Sequence, residues 1–239
     1  MNKIVLKNVS KAYKDVKALD NINLEILENK ITGLLGTNGA GKSTLIKILT
    51  GEIKPDNGTI SIFGIDIKDI DEIRKIVNVS PQESAIISNL TVYENLELFE
   101  HLYGINDAML IDDIMMLFNL KEFKNKRSKT LSGGYKKRLS IAISLITRPR
   151  ILFLDEPTLG LDIIARRDLW RIITKISEST TIVITSHYLE EIESLCEDVI
   201  ILSKGHVASR GSVNDIKKLS GCDSFEDAFV KIVGENDEI

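Results

Sequence analysis

The sequence contains very little cysteine. Only Cys196 and Cys222 occur among its 239 residues, and neither belongs to a CxxC pair. A disulfide framework or a thiolate metal site is therefore not expected, and reduced thiols fit a cytosolic protein. Hydrophobic residues make up 43% of the chain and charged residues 28%, which is typical of a folded protein with a substantial core.

Long apolar runs and an excess of positive charge are also lacking. The most apolar stretch, 139–147, is bounded by Arg138 and Arg148 and is far shorter than the roughly 18 residues of a membrane-spanning helix. The formal net charge of −4 gives no attraction to nucleic acid or to an anionic membrane surface. No basic region followed by an apolar one opens the chain. We therefore expect an intracellular protein that has no nucleic-acid partner and reaches a membrane only through a specific protein partner.

Two hydrophobic patterns predict two kinds of strand. Alternation of apolar and polar residues predicts half-buried antiparallel strands, and short apolar runs predict strands buried on both faces of a parallel sheet. The alternating segments are 4–9, 19–26 and 59–63, and the apolar runs are 31–35, 151–154, 181–185 and 199–202. Helices are expected to cover the parallel sheet.

The segment 91–147 has helical spacing and little strand signal. Thr91 and Glu94 have the spacing of a capping box at the start of a helix. Apolar residues that follow at helical spacing predict one buried face, and they are Leu96, Phe99, Leu102 and Tyr103. This segment therefore reads as a helical insertion.

A glycine-rich loop follows the apolar run 31–35 and precedes a helical segment. Its sequence, from Gly36 to Thr44, is Gly-Thr-Asn-Gly-Ala-Gly-Lys-Ser-Thr. Glycines allow backbone amides to turn toward an anion, and the following helix adds its positive N-terminal end. Lys42 would reach the terminal phosphates and the Ser43 hydroxyl a Mg²⁺ ion. The loop predicts nucleoside triphosphate binding, with an ordinary helix-capping loop as the alternative.

Two adjacent carboxylates, Asp155 and Glu156, end the apolar run 151–154. An acidic pair in this position is commonly only a loop start or a helix cap. A phosphate loop, however, needs an acidic partner for its metal and a base for the attacking water. We assign Asp155 to binding Mg²⁺ through a water molecule of the metal's hydration shell, and Glu156 to activating the attacking water.

A second small-residue motif precedes another helix. It comprises Leu131, Ser132, Gly133, Gly134 and Tyr135. The helix that follows is predicted to bury one face, formed by Leu139, Ala142, Ile143 and Ile146. The motif is either a Ser/Gly helix start or a second anion site made of a hydroxyl and glycine amides.

These motifs, in this order, resemble the ATP-binding cassette of the ABC transporter superfamily over essentially the whole chain. Segment 36–44 resembles the Walker A loop, 131–135 the signature motif and 151–156 the Walker B strand. The resemblance implies that the nucleotide is bound by Tyr13, Gly36, Thr37, Asn38, Gly39, Ala40, Gly41, Lys42, Ser43 and Thr44.

Further roles follow from the same resemblance. It implies that Glu156, His187 and Gln82 are catalytic, with His187 as the switch histidine and Gln82 in the Q-loop. It places Asp162 in the D-loop and assigns Mg²⁺ to Ser43, Gln82 and, through water, Asp155. On the residues alone, the alternatives are a polar residue at a strand end for His187, a core aromatic for Tyr13 and an ordinary loop residue for Gln82.

Two positions depart from the family pattern. Tyr135 replaces the usual glutamine, which puts its side-chain contact in doubt, and Thr37 stands where many members have proline. Both changes leave the glycines of the motifs intact. The basic cluster 121–138 beside the signature motif is interpreted as a mostly solvated face.

The fold implied by the resemblance is α/β. It is a P-loop NTPase core, a RecA-like mixed sheet flanked by helices, with an N-terminal antiparallel β subdomain and an inserted helical subdomain. We expect one ABC ATP-binding domain over 1–239. Its catalytic core would comprise 1–85 and 150–239, and its helical subdomain 86–149.

The function implied is that of a transporter motor using ATP and Mg²⁺. Two cassettes would meet head to tail, with ATP between one subunit's phosphate loop and the other's Ser132–Gly134. A separate integral membrane subunit would hold the pair at the inner face of the cell membrane. Segment 224–234 resembles the C-terminal part of ABC-2 type exporter cassettes, which favours export. The alternatives are a soluble ABC ATPase acting in assembly, translation or repair, and a small-molecule kinase.

Overall fold

The computed structural model describes residues 3–83 and 85–235, which form an α/β fold with two sheets. The described strands are β1 (Lys3–Tyr13), β2 (Val16–Leu27), β3 (Ile31–Gly36), β4 (Asn57–Ile62), β5 (Ile65–Asp66), β6 (Val77–Ser80), β7 (Ile151–Asp155), β8 (Thr181–Thr185), β9 (Asp198–Ser203) and β10 (His206–Gly211). The described helices are α1 (Lys42–Leu49), α2 (Ile70–Ile76), α3 (Val92–Leu102), α4 (Leu110–Leu117), α5 (Gly133–Leu145), α6 (Ile163–Ser177), α7 (Leu189–Leu195), α8 (Val213–Ser220) and α9 (Phe225–Glu235). The predicted fold class is confirmed.

The first sheet is antiparallel and has the strand order β2-β1-β4-β5. Ile4 and Leu6 of β1 are buried while Val5 between them is half-buried, so the alternating pattern does mark half-buried strands. The short strand β5 was not predicted, because two residues are too few to show a period.

The second sheet has the order β10-β9-β3-β8-β7-β6. Strands β3, β6, β7, β8 and β9 pair in parallel, and β10 pairs antiparallel to β9 at the edge. All residues of β3 and β8 are buried, as expected of central parallel strands. The sequence did not predict the two edge strands, since β6 is only four residues long and β10 has little apolar character.

The central strands separate two hydrophobic clusters. Leu152 and Leu154 of β7 belong to the cluster that includes the helical insertion, whereas Ile151 and Phe153 belong to the cluster beneath the antiparallel sheet. Successive side chains of a strand point to opposite faces, so one run of apolar residues serves both clusters. This arrangement explains why the buried strands lack alternation.

Helix α3 has the predicted capping box. The Thr91 hydroxyl accepts a hydrogen bond from Glu94 N (3.1 Å), and Thr91 N donates to Glu94 Oε2 (2.7 Å). The predicted face is only partly correct: Leu96 is fully buried, but Leu102 is 68% exposed and Tyr103 48% exposed. The helix ends at Leu102, so its last turn extends beyond the buried cluster.

Helix α5 differs from its prediction. One buried face was expected, yet every residue from Lys137 to Leu145 is buried. The helix packs simultaneously against β6, β7, α3, α4 and α6, so it has no solvent face over this length.

Helix α9 packs against the core through one apolar face. Phe225, Ala228 and Val233 are buried, and Phe229 and Ile232 pack against the same cluster. Within the described residues, none of the helices has both the length and the apolar character needed to cross a membrane. The proposed division into a core and a helical subdomain remains a prediction, although the described part of the segment between β6 and β7 contains helices and no strand.

The capping box of α3 gives a test of this part of the fold. Thr91→Ala removes the hydroxyl that accepts from Glu94 N, and we expect it to lower the free energy of unfolding by about 1 kcal/mol in urea denaturation. Thr91→Ser retains the hydroxyl and should be close to wild type. Equal stability of the Ala and Ser variants would contradict a contribution from the cap.

Candidate active site

A cleft of about 370 Å³ lies where the carboxyl ends of β3 and β7 meet the end of β1. Its lining residues are Tyr13, Val16, Ala18, Thr37, Asn38, Gly39, Ala40, Gly41, Lys42, Ser43, Thr44, Gln82, Asp155, Glu156 and His187. Nearly all the predicted nucleotide-binding, catalytic and metal-binding residues therefore lie around one cleft. Tyr13 is 47% exposed, which excludes its alternative reading as a core residue.

The lysine of the glycine-rich loop hydrogen-bonds to the backbone of the same loop. Lys42 Nζ donates to the carbonyl oxygens of Gly36 (2.6 Å) and Thr37 (3.1 Å), and α1 begins at Lys42. The amides of the first helical turn therefore border the cleft as potential anion donors. Burial lowers the pKa of Lys42, while Glu156 and Asp155 act in the opposite direction.

Thr185, the last residue of β8, orients the acidic pair. Its hydroxyl donates to Asp155 Oδ1 (2.5 Å) and accepts from Glu156 N (3.2 Å). Asp155, Ser43 and Gln82 all line the cleft. Carboxylate, hydroxyl and amide oxygens are hard donors, so this set fits Mg²⁺.

Glu156 is buried, and its backbone adopts a left-handed conformation (φ 48°). Burial raises the pKa of its carboxyl, with His187 and Lys42 opposing this effect and Asp155 adding to it. Oε2 accepts from His187 N (3.2 Å), and Oε1 lies 3.4 Å from His187 Nε2. A carboxylate with a raised pKa beside a phosphate loop is suited to accept a proton from water.

Two members of the basic cluster are buried, which corrects the prediction of a solvated face. Lys121, Lys126 and Arg127 are exposed as expected. Lys137 and Arg138 are each only 7% exposed, because α5 is enclosed on all sides.

The two buried cations make specific contacts. Lys137 Nζ donates to the Gln82 carbonyl oxygen (3.1 Å), and Arg138 pairs with Asp168 of α6 (3.2 Å). Burial lowers the pKa of Lys137, opposed by Asp155, Glu156 and Glu191. Lys137 therefore connects the helix after the signature motif to the loop that carries Gln82.

The predicted signature residues lie outside this cleft. Ser132 and Gly133 are exposed at the start of α5 and do not belong to its lining. Asp162 is exposed as well and caps α6 by accepting from Ala165 N (2.9 Å). A single chain thus brings together only one half of the predicted shared site.

Tyr135 makes intramolecular contacts. Its ring centroid lies 4.1 Å from that of Phe123, and the Arg138 guanidinium lies 5.0 Å from the ring. The tyrosine anchors the start of α5 on the helical insertion, which gives a physical use for the departure from glutamine.

Sequence reasoning missed Thr185, Lys137 and the fully buried Glu191. Thr185 closes an apolar run two residues before His187, a position that only becomes informative when β8 is known to adjoin β7. Glu191 follows His187 by four residues and looks like an ordinary helix residue.

The glycine-rich loop 36–44 shares one cleft with the Asp155–Glu156 pair and His187, and the second motif, 131–135, lies at the start of α5 outside that cleft. Together these features define an ATP-hydrolysing cassette. The family model described as ABC transporter matches residues 19–159. The chain therefore belongs to the ABC transporter family, whose cassettes are ATPases.

Several curated relatives support this membership. The chain is 37% identical over 98% of its length to ABC transporter A family member 8 of Dictyostelium discoideum, and 37% identical over 91% to phospholipid-transporting ATPase ABCA3 of Homo sapiens. It spans only 29% and 13% of those proteins. It is 34% identical over 93% of its length to daunorubicin resistance ATP-binding protein DrrA3 of Streptomyces coeruleorubidus, and covers 72% of that protein.

Solved structures share the fold. An ATP-binding subunit of an ABC transporter superposes with a TM-score of 0.84 at 28% identity, covering 96% of this chain and 98% of that one. A dimeric ATP-binding cassette in a post-hydrolysis state, bound to ADP and Pi, superposes with a TM-score of 0.77 at 29% identity, covering 87% and 98%.

The glycine-rich loop can be tested by stability alone. A Cβ at Gly41 (φ 107°) would lie 2.5 Å from Ala18 O and 2.8 Å from Leu19 Cδ2, whereas one at Gly39 (φ 82°) would meet no atom within 4 Å. Gly41→Ala should lower the free energy of unfolding by roughly 2 kcal/mol or more, and Gly39→Ala by the smaller strain of about 1 kcal/mol. Denaturation without nucleotide measures both. Equal losses would contradict the close approach of Gly41 to β2.

Proposed function

We propose that this chain is the ATP-driven motor subunit of a transporter, and that two cassettes share each ATP. The observation that carries the proposal is the Glu156–His187 pair beside the glycine-rich loop, with Ser132 and Gly133 exposed elsewhere on the same chain. The loop 36–44 would bind the phosphates and Tyr13 would stack on the base. The signature residues 131–135 of a second cassette, together with Asp162 at the interface, would close the site.

The buried carboxylate of Glu156 is the proposed general base of the hydrolysis reaction. Glu156 accepts a proton from the water that attacks the terminal phosphorus, and His187, 3.4 Å from its carboxylate, keeps that carboxylate oriented. Lys42 leaves the carbonyls of Gly36 and Thr37 to contact the phosphates. Ser43, Gln82 and Asp155 would hold Mg²⁺, which when bound neutralises phosphate charge.

The charge of the terminal phosphate would link the two cassettes. It would be held between the α1 N-terminus of one subunit and the α5 N-terminus of the other, and its release after hydrolysis would remove the link. Gln82 is a suitable sensor of this cycle, because its carbonyl is tied to Lys137 on α5. The loop and the helical insertion would then move together.

We further propose that the motor serves an exporter whose membrane subunit is a separate chain, with the cassette on the cytoplasmic face. Two relatives have names that are compatible with this proposal, daunorubicin resistance ATP-binding protein DrrA3 and phospholipid-transporting ATPase ABCA3. A bacterial Atm1-family ABC exporter with ATP bound superposes with a TM-score of 0.82 at 25% identity over 96% of this chain, and this chain covers 41% of that one.

Replacement of the proposed base tests the hydrolytic mechanism. Glu156→Gln should leave the Kd for ATP within a fewfold of wild type and lower kcat by about 100-fold or more, because the amide cannot accept the proton from water. Size-exclusion chromatography with ATP and Mg²⁺ should then show a stable dimer.

The matched control is Glu178→Gln, an exposed carboxylate at the end of α6, which should behave as wild type. A Glu156→Gln protein that stays monomeric with ATP and turns over at a near-normal rate would show that the role of Glu156 is wrong.

Co-purification tests the transport assignment. The tagged chain, isolated from gently solubilised membranes of its own cells, should bring down a polypeptide with several spanning helices, whereas an untagged preparation should not. Persistent recovery of the chain without such a polypeptide would contradict the transporter role and leave the ATPase mechanism untouched.

A further inference from the structure

Glu191 of α7 is a carboxylate with no exposed surface. Burying a carboxylate costs free energy unless hydrogen-bond donors surround it, so the residues that contact Glu191 indicate its role. One of them is well defined: the indole nitrogen of Trp170, on α6, donates to Glu191 Oε1 at 2.8 Å. Trp170 is the single tryptophan of the chain.

The hydroxyl side chains of Ser186 and Thr158 also lie next to this carboxylate. Burial raises the pKa of Glu191, and the interactions with Ser186, Trp170 and Thr158 oppose that effect. Glu191 Oε2 and Thr158 Oγ1 are both buried, and among the described residues neither meets full hydrogen-bond geometry with any partner. The Thr158–Glu191 contact therefore lacks the geometry of a complete hydrogen bond.

The three donors come from three segments of the cassette. Thr158 lies in the turn between Glu156 and Asp162, and Ser186 precedes His187, whose amide donates to Glu156. Trp170 is on α6, which begins directly after Asp162 and pairs with α5 through Asp168 and Arg138. Glu191 thus stands between the catalytic pair and the helix that follows the D-loop.

Other titratable groups around Glu191 come from neighbouring elements. The negative charge of Glu156, which follows β7, adds to the rise in the pKa of Glu191. Glu191 in turn opposes the lowering of the pKa of Lys137, on α5, by burial. The half-buried thiol of Cys196 follows α7, and burial, with a smaller contribution from Glu191, raises its pKa. The carboxylate is therefore enclosed by α5, α6 and α7 and the turn after β7.

We propose that Glu191 is a positioning residue that gathers Thr158, Ser186 and Trp170 around one carboxylate, so that movement of α6 or the Asp162 turn is transmitted to Glu156 and His187. The proposal rests on the proposed hydrolytic function. It adds a mechanical connection between the cassette interface and the catalytic pair. Since Glu191 does not line the cleft, it acts on the reaction only through these neighbours.

A double-mutant cycle of Glu191→Gln and Thr158→Val tests the connection through catalysis. Each change removes one side of the contact while keeping the volume of the side chain. Each should lower kcat about tenfold and leave the KM for ATP within about twofold, because the base is displaced while the phosphate loop is not. The double variant should lose little more than either single one.

Two control variants accompany the cycle. Glu193→Gln removes an exposed carboxylate from the same helix, and Thr158→Ser retains the hydroxyl; both should have wild-type kcat. Multiplicative losses in the double variant, or a Glu191→Gln enzyme as active as Glu193→Gln, would overturn the proposal. A rise in KM equal to the fall in kcat would overturn it too, since that pattern means an altered phosphate site.

Trp170 gives a second readout that does not require ATP hydrolysis. The fluorescence emission of Glu191→Gln should differ from wild type, because the carboxylate that accepts from the indole has become an amide, and Glu193→Gln should not differ. With ATP and Mg²⁺, the wild-type emission should change and the Thr158→Val response should be at most half as large.

The two readouts separate the inference from the function on which it rests. If wild type hydrolyses no ATP but the nucleotide-dependent emission change is present and weakened by Thr158→Val, the proposed function fails and the connection stands. Normal hydrolysis with identical emission responses in wild type and Thr158→Val would overturn the connection alone.

Discussion

Three adjacent parallel strands, β3, β8 and β7, hold the site in register. Leu34 of β3 pairs with Thr185 of β8, and Thr185 pairs with Asp155 of β7, so these residues form one row across the sheet. The loops that leave the strands just beyond this row carry the phosphate loop, His187 and Glu156. Because both faces of these strands are buried, a slip of one residue would move every side chain to the opposite face and disrupt the packing of both hydrophobic clusters. Hydrophobic packing thus fixes the relative positions of the polar groups.

The charged groups behind the cleft form a second level of organisation. Glu156, Lys137 and Glu191 are all buried, and each acts electrostatically on the others. Such groups are costly to bury, and each is held by defined partners, His187 for Glu156, the Gln82 carbonyl for Lys137 and Trp170 for Glu191.

The sequence was informative wherever function demands local chemistry. Segment 36–44 and the pair Asp155–Glu156 were recognisable because a phosphate loop and an acidic strand end require particular residue types in consecutive positions. The capping box of α3 was predictable for the same reason. The edge strands β6 and β10 and the burial of Lys137 and Arg138 were not, because edge position and enclosure by five other elements depend on residues far away in the chain.

By itself, the sequence determined the α/β class, the composition of the phosphate loop and the candidate catalytic residues. Only the tertiary structure decided that β8 lies between β3 and β7, which brings Thr185 to Asp155 and His187 to Glu156. It also decided that Ser132 and Gly133 lie apart from the cleft and that Glu191 is buried and accepts a hydrogen bond from Trp170. The physical reason is that strand order and side-chain burial arise from long-range packing, whereas motifs arise from short-range chemistry.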